Sequence, residues 1–144
     1  MAIPYFDMPV IVSADDIDEM EHANNVCYIR WMQDAAVAHS TANGWETQRY
    51  LDFGSAWYAR KHTIEYLAPA FLGEQLIVQT WVSDWKTVRS TRCYRFVRPS
   101  DKTIVAIAET CWAFVNLTTK RPTKIPKEVT DCFIVQTAKP DLPK

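Results

Sequence analysis

The stretch on which the fold depends is DIDEMEHANNVCY, residues Asp16–Tyr28. It begins as an acidic, polar loop and runs directly into the strongest helical pattern of the chain. In that pattern, apolar residues recur at three- and four-residue steps from about Asn24 to the helix stop at Asn43 and Gly44. Negative charge that develops beside a helix start faces unpaired N–H groups and the positive end of the helix dipole. The sequence therefore predicts a candidate catalytic loop followed by a long, nearly enclosed helix.

The remainder of the chain has the patterns of strands and turns. A short apolar run at Met8–Val12 predicts a first strand, and Trp45–Phe53 predicts a short second helix that ends at Gly54. Four longer runs have the alternation and composition of strands: Trp57–Tyr66, Gln75–Trp85, Val88–Arg98 and Thr103–Leu117. Successive strands that are joined by short turns should be antiparallel.

This order of elements predicts an α+β fold. Because one helix cannot cover both faces of a five-stranded sheet, we expect a curved antiparallel sheet of about five strands wrapped around one long central helix. Such a sheet leaves edge strands and large outer-face residues bare, and pairing with a second copy would cover both. The 144 residues are expected to form one domain, 1–144, with a short element from Ile125 and a loose tail after about residue 132.

Composition narrows the class of protein. Hydrophobic residues make up 48% of the chain, charged residues 23%, and the formal net charge is −1, which is ordinary for a soluble globular protein. There is no basic excess for nucleic acid, no apolar run of the ~20 residues that a membrane span needs, and no signal-peptide pattern. The four cysteines form no CxxC pair. We expect a cytoplasmic protein with reduced thiols and without a metal or other cofactor.

The loop carries a motif that resembles a known family. The pattern D-x-D-x-x-x-H-x-N-N-x-x-Y, from Asp16 to Tyr28, is similar to that of hotdog-fold acyl-CoA thioesterases of the 4-hydroxybenzoyl-CoA thioesterase type. Supporting segments extend the resemblance to about Val129: Ile64–Ala70, Leu72–Leu76, Trp112–Val115 and Ile125–Val129. One departure is Glu21, where many relatives have a small residue, usually Gly. The resemblance implies a hotdog fold, an acyl-CoA substrate, and active sites at the interface of a homodimer that could pair further into a tetramer.

The resemblance also implies roles for residues. In the family, a loop carboxylate supplies the attack on the thioester carbonyl, and a backbone N–H at the helix start polarises that carbonyl as an oxyanion hole does. By position these groups belong to Asp18 and Asn25. Asp18 would either attack directly to give an anhydride or deprotonate water, and the sequence leaves both open. His22 and Asn24 are candidates for substrate contact, and Asn24 is most simply the helix N-cap.

Coenzyme A carries phosphates, so basic side chains are expected near the pocket mouth. Lys86 and Arg89, beside a strand end, are the substrate-binding candidates, and a second basic group lies in the last turn at Lys120, Arg121 and Lys124. A solvated strand end explains these residues equally well. The arginines at positions 89, 92, 95 and 98 change sides of the strand at every step, so they cannot form one basic stripe for nucleic acid.

Other interpretations of the same residues fit the sequence less well. Asp16–Cys27 is not a calcium loop, because its sixth residue is Glu21 rather than Gly and its twelfth is Cys27 rather than Glu. Asp16 is expected to hold the loop by hydrogen bonds, Cys27 to be a packed thiol, and His39 and His62 to be core or interface residues. Two alternative functions stay open: an acyl-acyl-carrier-protein thioesterase on the same fold, and a non-catalytic acyl-CoA-binding module.

Overall fold

The computed structural model describes residues 2–143. Within them lie five strands and three α-helices: β1 Tyr5–Ile11, α1 Asn25–Ala42, α2 Thr47–Phe53, β2 Ser55–Tyr66, β3 Gln75–Trp85, β4 Arg89–Arg98, β5 Thr103–Asn116 and α3 Lys127–Thr130. The sequence predicted these elements, but it placed the start of β1 three residues late. Tyr5 to Asp7 belong to β1 because they pair with Trp81 to Gln79 of β3. The extra length is set by a distant strand and not by local pattern.

The five strands form one sheet in the order β1-β3-β4-β5-β2, and all four neighbouring pairs are antiparallel. The predicted antiparallel α+β architecture is therefore confirmed. Chain order differs from spatial order at one place, because β2 pairs with β5 and not with β3. The segment 67–74 carries the chain across the sheet and passes the start of α1, where Ala23 N–H donates to Ala70 O at 2.8 Å.

Helix α1 packs lengthwise on one face of the sheet. Its residues Tyr28, Trp31 and Met32 are buried in one cluster with core residues of the strands, among them Tyr94 and Phe96 of β4. Ala35 is fully buried in the same cluster, and its small side chain allows close approach of the helix and the sheet. This is the single central helix that the apolar spacing predicted.

The tail after α3 differs from its predicted looseness. Phe133 is buried, and Gln136 N–H donates to Val82 O at 2.8 Å. Farther on, two side chains of the sheet reach tail carbonyls: Gln79 donates to Asp141 O at 2.8 Å, and Arg95 donates to Pro140 O. Because these side chains point away from α1, the tail covers part of the outer face of β3 and β4. The proline and polar residues of this segment predicted a solvated tail, whereas hydrogen bonds to distant residues of the sheet bind it to the fold.

The sheet has two edges, β1 and β2. Strand β2 is the longer of the two, and most of its residues are partly or fully exposed. None of the helices within residues 2–143 has both the length and the apolarity needed to cross a membrane.

Candidate active site

The loop before α1 folds back on itself as a small hairpin. Asp18 N–H donates to His22 O at 2.9 Å, and Asn24 N–H donates to Asp16 O at 2.7 Å. The hairpin therefore sets Asp18 opposite His22. His22 lies three residues before Asn25, the first residue of α1. The hairpin thus pairs Asp18 with a residue near the helix start, and the catalytic role of Asp18 stays a prediction.

The Asp18 carboxylate is half-buried, and its two oxygens have different surroundings. Oδ1 accepts the backbone N–H of Met20 at 2.9 Å and that of His22 at 3.2 Å. Oδ2 has no hydrogen-bond partner among the described residues. One oxygen is thus fixed by the loop backbone, while the other is free to attack a carbonyl carbon or to accept a proton from water.

The first turn of α1 carries an unused backbone donor. Asn24 is the N-cap, as predicted: its Oδ1 accepts Val26 N–H at 2.9 Å, and its carbonyl accepts Cys27 N–H at 2.9 Å. Immediately before these two donors, Asn25 N–H has no partner within residues 2–143, and Asn25 is exposed. A free N–H at a helix N-terminus is suited to bind an oxyanion.

Aromatic and apolar residues of the crossing segment surround the loop, and sequence reasoning did not single them out. The Tyr66 hydroxyl at the end of β2 donates to Asn25 O at 3.1 Å. The His22 ring makes an edge contact with Phe71, with ring centroids 5.3 Å apart. Large apolar side chains are exposed in the loop, in the first turn of α1 and in the crossing segment: Met20, Val26, Leu67, Phe71 and Leu72. The sequence contained one signal for these residues, the family resemblance of Ile64–Ala70, but that resemblance assigned them no role in the site.

Asp16 holds the loop by hydrogen bonds, as predicted. It is buried, and its Oδ2 accepts the N–H and the hydroxyl of Ser13 at 2.9 and 3.0 Å, while Oδ1 pairs with Arg30. Burial alone would raise the pKa of Asp16, but the hydrogen bonds from Arg30, Ser13 and Cys27 lower it to about 2. A carboxylate that stays ionised and has both oxygens hydrogen-bonded stabilises the loop and does not act as a base.

Cys27 is a packed thiol, as predicted. Its Sγ lies 3.5 Å from Asp16 Oδ1 in the interior. Burial raises the pKa of the thiol, and the hydrogen bond and negative charge of Asp16 raise it further. The thiol is therefore protonated at neutral pH and is a poor nucleophile.

The backbone conformation of Glu21 explains why many relatives have a small residue, usually Gly, at this position. Its φ is +64°, in the left-handed region that glycine adopts without steric cost. A residue with a side chain is strained there by about 1–2 kcal/mol. The tight turn of the hairpin imposes this conformation, so the position favours Gly for its backbone freedom.

Lys86 and Arg89 lie far from Asp18 in the same chain. The loop begins beside the first residue of β3, where Ile11 pairs with Gln75, whereas Lys86 follows the last residue of β3. The strand has 11 residues, which at 3.3 Å per residue separates its ends by about 33 Å. The structure therefore does not bring the two predicted phosphate contacts to this loop within one protomer.

The basic side chains that do lie near the loop are Arg30 and Arg98. Arg30 pairs with Asp16. Arg98 pairs with Glu74 at 3.2 Å and donates to Pro69 O at 3.3 Å in the crossing segment. Both already have a carboxylate partner, and nothing in the spacing of the sequence distinguished them from other arginines.

The other two histidines lie away from the loop. His39 is fully buried near the end of α1, and His62 Nδ1 lies 2.8 Å from Thr110 Oγ1 between β2 and β5. His39 is a satisfied core residue, as expected, whereas His62 is a half-buried residue with a hydrogen-bond partner. Residues 2–143 contain no cluster of three His, Cys, Asp or Glu side chains that could hold a metal ion.

Comparisons with known proteins identify the family and the fold of the chain. The model of the thioesterase-like superfamily matches residues 12–133, so the chain belongs to the thioesterase-like superfamily. The class of protein is accordingly a thioester hydrolase, which confirms the resemblance found in the sequence. No curated protein matches the chain significantly in sequence.

Solved structures share the fold at low identity. A 1,4-dihydroxy-2-naphthoyl-CoA thioesterase from Synechocystis has a TM-score of 0.82 at 17% identity, over 89% of this chain and 94% of that one. A Staphylococcus aureus protein solved in complex with CoA has a TM-score of 0.83 at 17% identity, over 92% and 83%. An acyl-ACP thioesterase from Bacteroides thetaiotaomicron has a TM-score of 0.82 at 17% identity, over 97% of this chain but 56% of that one. The predicted hotdog fold is confirmed.

Proposed function

We propose that this protein hydrolyses acyl-CoA thioesters to the free acid and CoA, and that Asp18 and Asn25 carry the reaction. The observation that supports this most directly is the hairpin loop, in which Asp18, with one unbonded carboxylate oxygen, pairs with His22, three residues before the unbonded helix N–H of Asn25. An attacking oxygen and a donor for the carbonyl oxygen are what thioester hydrolysis needs, since the thiolate is already a good leaving group.

The reaction would proceed as follows. The thioester carbonyl oxygen accepts a hydrogen bond from Asn25 N–H, and the α1 dipole stabilises the negative charge that grows on it. Asp18 Oδ2 either attacks the carbonyl carbon and expels the thiolate as an acyl-aspartyl anhydride forms, or removes a proton from the water that attacks. In the first route water then cleaves the anhydride. Single turnover in H₂¹⁸O separates the routes, because only the anhydride route can leave ¹⁸O in the Asp18 carboxylate.

CoA is the proposed carrier of the acyl group, because this chain shares its fold with a CoA thioesterase from Synechocystis and with a Staphylococcus aureus protein solved in complex with CoA. The runner-up, an acyl-acyl-carrier-protein thioesterase, would use the same Asp18. Turnover of one acyl chain on both carriers, compared as kcat/KM, distinguishes the two.

A homodimer is part of the proposal. The exposed edge of β2 and the exposed apolar residues around the loop would both be covered by a second copy, and two dimers could pair further into a tetramer. Lys86 and Arg89 could then serve CoA phosphates only across a subunit boundary, because about 33 Å of strand separates them from the loop of their own chain. Direct substrate contacts by His22 and Asn24, and a cytoplasmic location, stay predictions.

The decisive experiment is Asp18→Asn assayed by free-thiol release on a panel of aromatic, short-chain and long-chain acyl-CoA substrates. We expect hydrolysis to fall at least a hundredfold, as the loss of a base or nucleophile should cause. The matched control is Glu19→Gln, which removes the adjacent, exposed carboxylate and should retain near-normal turnover. If the unmodified protein and Asp18→Asn both bound acyl-CoA and neither hydrolysed it, the result would instead support the non-catalytic binding module.

A further inference from the structure

The sheet face that points away from α1 is only partly covered. The tail crosses β3 and β4, where Gln136 N–H donates to Val82 O and Arg95 donates to Pro140 O, and it leaves the outer side chains of β2 and β5 uncovered. A groove of about 260 Å³ lies between tail residue Lys139 and these two strands. The uncovered part, which we call the open outer surface, includes six charged or large apolar side chains: Tyr58, Lys61, Glu65, Arg89, Ile107 and Glu109.

The strand register places all six side chains on one face, because paired residues of antiparallel strands project to the same side of a sheet. Arg95, which points away from α1, pairs with Ile107, and Ile107 pairs with Glu65. The open outer surface therefore covers four successive rows of the sheet. The next positions of β5 on this side bring in the other four members: Glu109 itself, Lys61 opposite Cys111, and Tyr58 and Arg89 on either side of Ala113.

Charges on the open outer surface are separated along the strands. The carboxylates of Glu65 and Glu109 occupy the two rows at one end, and the cations Lys61 and Arg89 occupy the two rows at the other end. All four side chains are exposed, and none has a hydrogen-bond or ion-pair partner within residues 2–143. Tyr58, which is 67% exposed, adds a large aromatic side chain. A surface with opposite charges at its two ends complements a second copy of itself whose strands run in the reverse direction.

We propose that the open outer surface is an interface between two copies of this chain, which pack face to face with their strands antiparallel. This arrangement sets the rows of Lys61 and Arg89 in one copy against the carboxylate rows of the other, whereas parallel strands would set like charges against each other. A partner with a single sign of charge would be attracted to one end of the surface and repelled by the other. The charge pattern therefore selects a second copy and its orientation.

The size of the open outer surface matches that of a stable interface between two dimers. Positions 58–65 of β2 span about 26 Å and three neighbouring strands are about 14 Å wide, so one copy offers roughly 400 Å² of sheet. A homodimer joined through its β2 edges places two such surfaces side by side and offers roughly 800 Å², the typical buried area per partner in a specific interface. The inference rests on that homodimer, which is part of the proposed function, and it names the face through which two dimers form a tetramer.

The test is the mass of the full-length protein in solution, measured by light scattering after size-exclusion chromatography. We expect a tetramer, and we expect Glu109→Lys to halve its mass, because a lysine at this position meets Lys61 of the facing copy. The double variant that combines Lys61→Glu with Glu109→Lys sets opposite charges against each other again and should recover the tetramer. Recovery by the second substitution shows that the first one acted through charge and not through misfolding.

Asp34→Lys is the matched control, because it makes the same change of charge at an exposed position of α1, on the other side of the sheet. It should leave the tetramer intact. A tetramer that is lost in Asp34→Lys but kept in Glu109→Lys would place the contact on the helix side and overturn the proposal. An unmodified protein that is a dimer, with Glu109→Lys also a dimer, would overturn the outer contact and leave the proposed homodimer standing, whereas a monomeric protein would refute both contacts.

Discussion

Arg92 donates a hydrogen bond to Nδ1 of His39, 2.9 Å away, and thereby fixes the protonation state of a fully buried histidine. Nδ1 must be unprotonated to accept this bond, so the proton is on Nε2, which donates to Ile3 O at 2.8 Å. Burial lowers the pKa of His39, and the positive charge of Arg92 lowers it further, to about 4. His39 is therefore neutral across the physiological range.

The first prediction follows from that pKa. As the pH falls from 6.5 to about 4, the unfolded chain takes up a proton on His39 and the folded protein does not, so this histidine should lower the free energy of unfolding by about 3 kcal/mol. Urea unfolding at a series of pH values measures this. His39→Gln should remove most of the loss, whereas His62→Gln should retain it, because His62 is only partly buried. An identical pH dependence in His39→Gln would contradict the neutral state of His39 in the folded protein.

The second prediction concerns the amide proposed to polarise the carbonyl. Asn25→Pro removes the N–H and the exposed side chain but should preserve the helix, because Asn25 is the first helical residue, a position that proline favours, and Asn24 already has the extended conformation that must precede proline. We expect kcat to fall about a hundredfold to a thousandfold with little change in the unfolding midpoint. Asn25→Ala keeps the N–H and should have nearly normal kcat. Full activity of a folded Asn25→Pro protein would exclude this amide from the reaction.

The third prediction concerns the left-handed residue of the loop. Glu21→Gly relieves steric strain but adds freedom to the unfolded chain, so the free energy of unfolding should change by less than about 1 kcal/mol. Glu21→Val should be destabilising by about 1–2 kcal/mol, because a β-branched side chain fits this conformation poorly. Glu19→Val, in the same exposed loop but without a positive φ, is the control and should cost less. Denaturant unfolding would count against the interpretation if Glu21→Val and Glu19→Val were equally stable.

The fourth prediction concerns the tail. Deletion of residues 134–144 removes the carbonyls that bind Gln79 and Arg95 and uncovers the outer face of β3 and β4. We expect the free energy of unfolding to fall by about 2 kcal/mol, the combined size of such hydrogen bonds. Lys139→Ala, an exposed tail substitution, should change it by less than about 0.5 kcal/mol. A truncated protein as stable as the full chain would show that the tail contributes nothing to the fold.

Local patterns in the sequence determined the elements and the position of the candidate site. The 3.6-residue apolar period and the flanking residues Asn24 and Gly44 located α1, because helix packing and helix capping depend on neighbours within a few positions. Alternation located β2 to β5 to within about two residues. The motif from Asp16 to Tyr28 located the loop for the same reason, since its hairpin is built from hydrogen bonds between nearby residues.

Only the tertiary structure decided what depends on distant partners. It decided that β2 pairs with β5, that the tail covers the outer face, and that Lys86 lies about 33 Å of strand away from the loop of its own chain. It also decided the different environments of Arg92 and Arg95, which the sequence distinguished only as opposite faces of one strand. The physical reason is that strand order, burial and charge compensation arise from contacts between residues far apart in the chain, and no short-range pattern records those contacts.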